Sequence, residues 1–229
     1  MKYKHIFFDL DRTLWDFEAN SKETFEEIFN KYNLNKHCDF NTFHTEYRKI
    51  NAELWAEYRI GTISKEFLSW QRFYRAINLF GIDNEEMAKD MSADYIKISP
   101  TKTKLFPNTK EVLEFLSNKY KLHLVTNGFK EVQYVKINNS GIDKYFTSVF
   151  TSEEVGCNKP NKAFFEHVLE HTGADISESA IVGDDIEADI KGAANMHIDT
   201  VWFNPDNLET DYIPTYKINT LDELKNIFN

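Results

Sequence analysis

Two hydrophobic rhythms divide this chain, and the change between them is abrupt. Near the start, Ile6-Phe7-Phe8 is an unbroken apolar run, the pattern of a buried strand. It ends on Asp9-Leu10-Asp11, and on a continuing strand both carboxylates would face the same side. From Asn20 to about Ile98 the apolar residues recur at helical spacing instead. Ser21 and Thr24 with Phe25, Ile28, Phe29 and Tyr32 read as a capped amphipathic helix. Asp39 opens a second, with Phe43, Tyr47, Ile50, Leu54 and Tyr58 on one stripe, ending near Gly61. Ser64 caps a third, which carries Phe67, Leu68, Trp70, Phe73, Ile77 and Phe80 up to Gly81. A fourth runs over 83–98, and Pro100 and Pro107 then frame a linker holding Lys102 and Lys104.

From Asn108 onward helices and strands alternate. Helices are predicted at 109–116, after Gly128, at 162–171, 186–194 and 221–228. Strands are predicted at 121–125, 148–150, 180–182 and 200–203, with loops over 151–160 and 204–216. This alternation implies an α/β fold, a parallel sheet with helices on both faces. The expected organisation is a catalytic core of residues 1–15 and 102–229, interrupted by an all-helical block over 16–101.

Composition narrows the partners. A chain of 229 residues with 15% aromatics can bury a sizeable core. Its formal charge of −10 argues against binding a nucleic acid polymer through a basic surface. An anionic ligand must then be met by a local cation, a lysine or a helix N-terminus. Two cysteines, Cys38 and Cys157, suit a reducing compartment. With no leader-like or membrane-length apolar segment, the expectation is a soluble cytoplasmic protein, monomeric or a small homo-oligomer, without membrane contact.

In open α/β sheets ligands lie beyond the carboxyl ends of the strands. Three predicted strands end there in polar residues: Asp9 and Asp11, Thr126 and Asn127, and Asp184 and Asp185. A loop adds Lys159. Read singly, each has an ordinary explanation: a solvated turn, a capped helix, a surface lysine. Their order, each at a strand-to-helix switch, points to phosphoryl chemistry. Asp9 can attack phosphorus and form an acyl-phosphate. Asp11 can protonate the leaving oxygen and later activate water. Several carboxylates facing a phosphate require a hard divalent cation, and Mg2+ suits Asp9, Asp184 and the backbone carbonyl of Asp11. Asp185 and Asp189 can hold metal-bound water or orient the ligands. Thr126, with Asn127 and its neighbouring amides at a helix start, suits phosphoryl oxygens, and Lys159 supplies fixed positive charge.

Other candidates carry less. His167 and His171 stand i, i+4 but lack a carboxylate partner, so a solvated helix face is the simpler reading. Cys157 has no evident histidine partner. The aromatic stripes read as core, while Trp55, Tyr58 and Arg72 remain candidates for substrate contact.

Taken together, Asp9-x-Asp11-x-Thr13, Thr126, Lys159-Pro160 and Gly183-Asp184-Asp185-x3-Asp189 resemble the four motifs of the haloacid dehalogenase-like hydrolases. The resemblance implies a Rossmann-like core, a type I helical cap, Asp9 as nucleophile, Asp11 as acid/base and Mg2+ dependence. The second aspartate, Asp11, is the phosphatase mark and argues against dehalogenation. Asn51-x3-Trp55-x2-Tyr58-x2-Gly61, Thr126-Asn127-Gly128-Phe129, Ser152-Glu153-Glu154-Val155-Gly156, Lys159-Pro160-Asn161 and Trp202-x-Asn204 are similar to the branch of pyrimidine-preferring nucleoside 5'-monophosphatases. Two departures are expected to spare the chemistry. Arg12 stands where Gly or Glu is usual and reaches towards the site mouth, and Asn195-Met196-His197 replaces Asn-Ala-Gly at a helix end. The implied function is hydrolysis of a small phosphorylated metabolite. A sugar-phosphate or phosphoglycolate phosphatase is the nearest alternative, a mutase is more distant, and a silent phosphometabolite-binding protein belongs to another class. A phosphonate-cleaving reading would need a marked cap lysine, and nothing distinguishes one.

Overall fold

The computed structural model describes residues 2–229. β1 (His5–Phe8) is buried at all four positions, as its apolar run requires. The chain then builds four helices, α1 (Phe17–Lys31), α2 (Phe40–Arg59), α3 (Lys65–Asn78) and α4 (Glu85–Ile98). It continues through α5 (Thr109–Ser117), β2 (Lys121–Thr126), α6 (Lys130–Ser140) and β3 (Phe146–Thr151). A one-turn helix α7 (Ser152–Val155), α8 (Lys162–Thr172) and β4 (Ser179–Gly183) follow. A wide π-type helical turn over Ile186–Lys191 runs into α9 (Gly192–Ala194), and β5 (Asp199–Phe203), β6 (Tyr216–Ile218) and α10 (Leu224–Ile227) close the chain.

All six strands form one sheet in the order β3-β2-β1-β4-β5-β6, and every neighbouring pair is parallel. β1 lies between β2 and β4, where the chain's progress across the sheet reverses, which is the place such folds open a ligand crevice. Alternate residues serve opposite faces. Ile6, Phe8, Leu122, Leu124 and Val182 pack with Val112, Leu116, Ile137 and Leu224 on one side. Phe7, Val125 and Ile181 pack with Phe164, Phe165 and Ala193 on the other. Helices therefore cover both faces, and the fold is α/β and Rossmann-like.

The chain divides into two compact units, Met1–Phe17 with Thr103–Asn229, and Glu18–Lys102. In the first, both chain crossings run side by side: Trp15 and Leu105 form an antiparallel bridge, and Asp16 N donates to Lys104 O at 3.1 Å. The second unit is helical. Asp39, Ser64 and Asn84 cap α2, α3 and α4 by accepting from the backbone amides of Thr42, Phe67 and Met87. Phe25 is the hub of its core, with ring centroids 4.1–6.2 Å from those of Tyr47, Tyr95, Phe73 and Phe43.

Several local expectations fail for identifiable reasons. α1 begins at Phe17, so Ser21 is a buried interior residue and no cap, while Thr24 Oγ1 donates back to Asn20 O. Phe67 leaves the α3 stripe for solvent, and Arg72 takes a buried place beside Phe73. α7 falls in a stretch read as loop and β6 begins at the last residue of another, because three or four residues are too few to show a period. Among the described residues, no helix is long and apolar enough to cross a membrane.

Candidate active site

β1 ends at Phe8, but Asp9 N still donates to Val182 O at 2.9 Å, so Asp9 stands at the carboxyl edge of the sheet's centre. Its carboxylate meets Lys159. The Lys159 ammonium donates to Asp9 Oδ1 at 2.9 Å, Asp189 Oδ1 at 2.6 Å and Val125 O at 2.8 Å. Those three bonds use all three protons of a side chain that is 1% exposed. Lys159 thus serves Asp9 and Asp189, and has no donor left over for an incoming oxygen. Its own pKa lies above the usual lysine value: desolvation works against the charge, but the Asp189 and Asp9 carboxylates outweigh it.

Asp184 enters from the end of β4. Thr13 Oγ1 lies 3.2 Å from Asp9 Oδ2 and 3.3 Å from Asp184 Oδ1, and with one proton it can donate to only one of them at a time. Trp202 Nε1 donates to Asp184 O at 2.9 Å and fixes the turn. Carboxylate oxygens of Asp9, Asp184 and Asp189 all lie within 4.8 Å of one another. Burial pushes the Asp9 carboxyl up to about 7; Lys159 pulls it down and Asp189 and Asp11 push it up. Burial, then Asp9 and Asp189, raise Asp184, while Arg12 lowers it. Burial raises Asp189 against the pull of Lys159. One ammonium, bonded to Asp9 and Asp189, stands against the three carboxylates of Asp9, Asp184 and Asp189, which leaves two formal negative charges, the charge of one divalent cation.

Two neighbouring glycines explain themselves here. A Cβ on Gly183 would sit 2.3 Å from Asp189 Oδ2, and one on Gly128 would sit 2.1 Å from Gln133 Nε2. Side chains occupy the space that each glycine leaves.

The remaining predicted residues separate. Because the strand stops at Phe8, Asp11 does not share a face with Asp9. Its side chain turns to α6, where Lys136 Nζ donates to Oδ1 at 2.6 Å and Gln133 Nε2 to Oδ2 at 2.8 Å. Thr126 Oγ1 accepts from Gln133 Nε2 at 2.7 Å and from Gly128 N at 3.1 Å. With both lone pairs occupied, its hydroxyl proton is left to donate. Asn127 spends its amide on the Lys159 backbone, donating to O and accepting from N, both at 2.9 Å, so it braces the lysine loop. Asp185 accepts from the amides of Glu187 and Ala188 and caps the π-type turn, while Asp189 lies inside the acidic group. Arg12 takes a left-handed φ of 68°, which accounts for glycine being usual there, and its guanidinium lies 5.3 Å from the Phe17 ring centroid. His197 likewise has φ 59° at the end of its helix.

In the helical unit, Trp55 and Tyr58 meet edge to face at 5.5 Å. Arg72 is buried, donates to Asn51 Oδ1 at 3.1 Å and lies over Phe73 and Tyr95. His167 and His171 are stacked at 3.8 Å against Phe150. Three site residues carry no mark of their own in the sequence: Thr13 stands only as a letter of the first motif, and Gln133 and Lys136 lie a turn apart on a helix whose apolar stripe is weak.

Residues 3–197 match the family model for haloacid dehalogenase-like hydrolases. The pyrimidine 5'-nucleotidase PynA of Streptococcus pneumoniae is 30% identical, over 98% of this chain and 94% of that protein. The pyrimidine 5'-nucleotidase YjjG of Escherichia coli is also 30% identical, over 99% and 98%. Phosphatases of small sugar phosphates occur among the relatives at slightly lower identity. The crystal structure of the HAD-hydrolase YfnB from Bacillus subtilis, bound to magnesium, superimposes with a TM-score of 0.93 at 29% identity, covering 100% of this chain and 99% of that one. The chain belongs to the haloacid dehalogenase-like hydrolase family, and it is an enzyme, a hydrolase.

Proposed function

We propose that this hydrolase is a Mg2+-dependent phosphomonoesterase, acting through an aspartyl-phosphate on Asp9, with pyrimidine nucleoside 5'-monophosphates as substrates. One observation carries the chemistry: a buried carboxylate at the sheet switch point, held by a lysine, in an all-oxygen group two charges short of neutrality. That donor set fits a hard divalent cation. Asp9, Asp184 and the backbone carbonyl of Asp11 are the residues that would hold it, with Asp189 completing the acidic wall. When bound, Mg2+ supplies positive charge that lets a phosphate approach these carboxylates.

Lys159 fixes Asp9 by Oδ1, and an Asp9 oxygen attacks phosphorus as the bond to the leaving oxygen breaks. Asp11 passes its proton to that oxygen. Water then attacks the aspartyl-phosphate, gives a proton to Asp11, and the Asp9–phosphorus bond breaks to free phosphate. Thr126 donates its hydroxyl to a phosphoryl oxygen. Selectivity is assigned to the helical unit as a cap, with Trp55 and Tyr58 as its candidate contacts, while the buried Arg72 serves that unit's own core. The similarity to two pyrimidine 5'-nucleotidases supports the substrate class.

The test is phosphate release, with and without Mg2+, from UMP, dUMP, dTMP, AMP, phosphoglycolate and hexose phosphates. Mg2+-dependent release concentrated on the pyrimidine monophosphates is expected. Release from sugar phosphates alone would keep the chemistry and sink the substrate class. Asp9→Asn should lower turnover by at least about 1,000-fold; undiminished turnover would remove Asp9 as nucleophile.

A further inference from the structure

Gln133 and Lys136 are one turn apart on α6 and both point into the protein, with relative exposures of 0% and 3%. Burying an amide and an ammonium is costly unless their protons find acceptors. Here they find the same one. Lys136 Nζ and Gln133 Nε2 each hold one oxygen of Asp11, and the ammonium also lies 4.1 Å from the Trp15 ring centroid. The second amide proton of Gln133 goes to Thr126 Oγ1, so a single side chain touches both Asp11 and Thr126. Gln133 Oε1 is buried without a partner, so its two donor bonds, and not full satisfaction of the amide, fix its orientation. Gly128 leaves the space through which it reaches both groups.

We propose that Gln133 and Lys136 are positioning residues that lock the carboxylate of Asp11 in register with the phosphoryl-binding hydroxyl of Thr126. This rests on the reading of Asp11 as the proton donor to the leaving oxygen. The cradle fixes Asp11 at both oxygens, and its amide bridge ties the acid/base group to the group that holds phosphate. Proton delivery to the leaving oxygen therefore depends on α6, not on β1 alone.

The diagnostic is the leaving group. Formation of the phosphoenzyme is followed by rapid quench for UMP, whose alkoxide needs a proton, and for p-nitrophenyl phosphate, whose nitrophenolate departs without one. Asp11→Asn serves as the reference. Lys136→Met should slow the reaction of UMP by about 30-fold and leave that of p-nitrophenyl phosphate within about 3-fold, while Gln133→Leu, which also frees Thr126, should lose about 10-fold more with UMP than with p-nitrophenyl phosphate. Lys136→Arg, which keeps the charge and the ring contact, should restore most of the loss. Lys136→Met added to Asp11→Asn should cost nothing more with UMP. Gln133→Met, close in shape, replaces the Leu variant if that does not fold. An equal loss on both esters in folded variants, or no loss on either, overturns the proposal. Should Asp11→Asn itself show no difference between the esters, the acid/base reading of Asp11 fails. A split in Asp11→Asn that is absent from the α6 variants leaves that reading standing and removes the cradle.

Discussion

His123 lies on the sheet face opposite Leu122 and Leu124, buried between Phe7 and His5, whose ring centroids stand 4.9 Å and 5.2 Å away. His5 Nδ1 and His123 Nε2 are 3.0 Å apart, and His123 Nδ1 has no partner. Desolvation, then His5 and Lys121, lowers its pKa to about 4, so the folded protein keeps the ring neutral. The unfolded chain, with an ordinary histidine, binds the extra proton between roughly pH 6.5 and 4. Its contribution to stability is therefore complete above that window and is lost as pH falls through it. The full effect is on the order of 3 kcal/mol. Unfolding free energies measured by denaturant at pH 7 and pH 4.5 should differ less in His123→Phe than in the wild type. An unchanged difference would place the acid sensitivity elsewhere.

Elements here owe their positions to one good face each. α1 contributes Phe25, which is fully buried and meets rings from α2, α3 and α4. The Phe25 and Tyr47 ring centroids stand 4.1 Å apart. Phe25→Ala should cost about 3–5 kcal/mol. Because the residue lies in the helical unit, hydrogen exchange should quicken over 18–102 and stay slow in β1, β2 and β4. Equal quickening throughout would mean that the two units unfold as one. The π-type turn after β4 shows an element shaped by its site: Asp185 caps it, and Asp189 reaches back across Gly183 to Lys159.

In the whole molecule, the helical unit is an insertion whose two ends meet. The Trp15–Leu105 bridge and the Phe106 N to Leu14 O bond of 2.9 Å hold the outgoing and returning strands together within the sheet-bearing unit. A chain joining residue 17 to residue 103 through a short Gly-Ser segment should keep a cooperative thermal transition and the circular dichroism of an α/β sheet. A molten or aggregated product would show that the sheet needs the insertion to fold.

The parallel sheet and the helical insertion are legible in the chain, because strand and helix periods are local, and the polar motifs fall where strands end. Asp9, Lys159 and Asp184 could be placed near one another from topology alone. The tertiary structure decided where their side chains turn. Asp11 departs from Asp9 since the strand stops at Phe8, and its partners Gln133 and Lys136 lie 122 and 125 residues away. Asn127 and Asp185 carry the right side chains at the right edge, yet they are consumed by a backbone clamp and a helix cap. Period and motif fix which residues reach an edge. Which of them remain available there depends on hydrogen-bond partners that only folding brings within 3 Å.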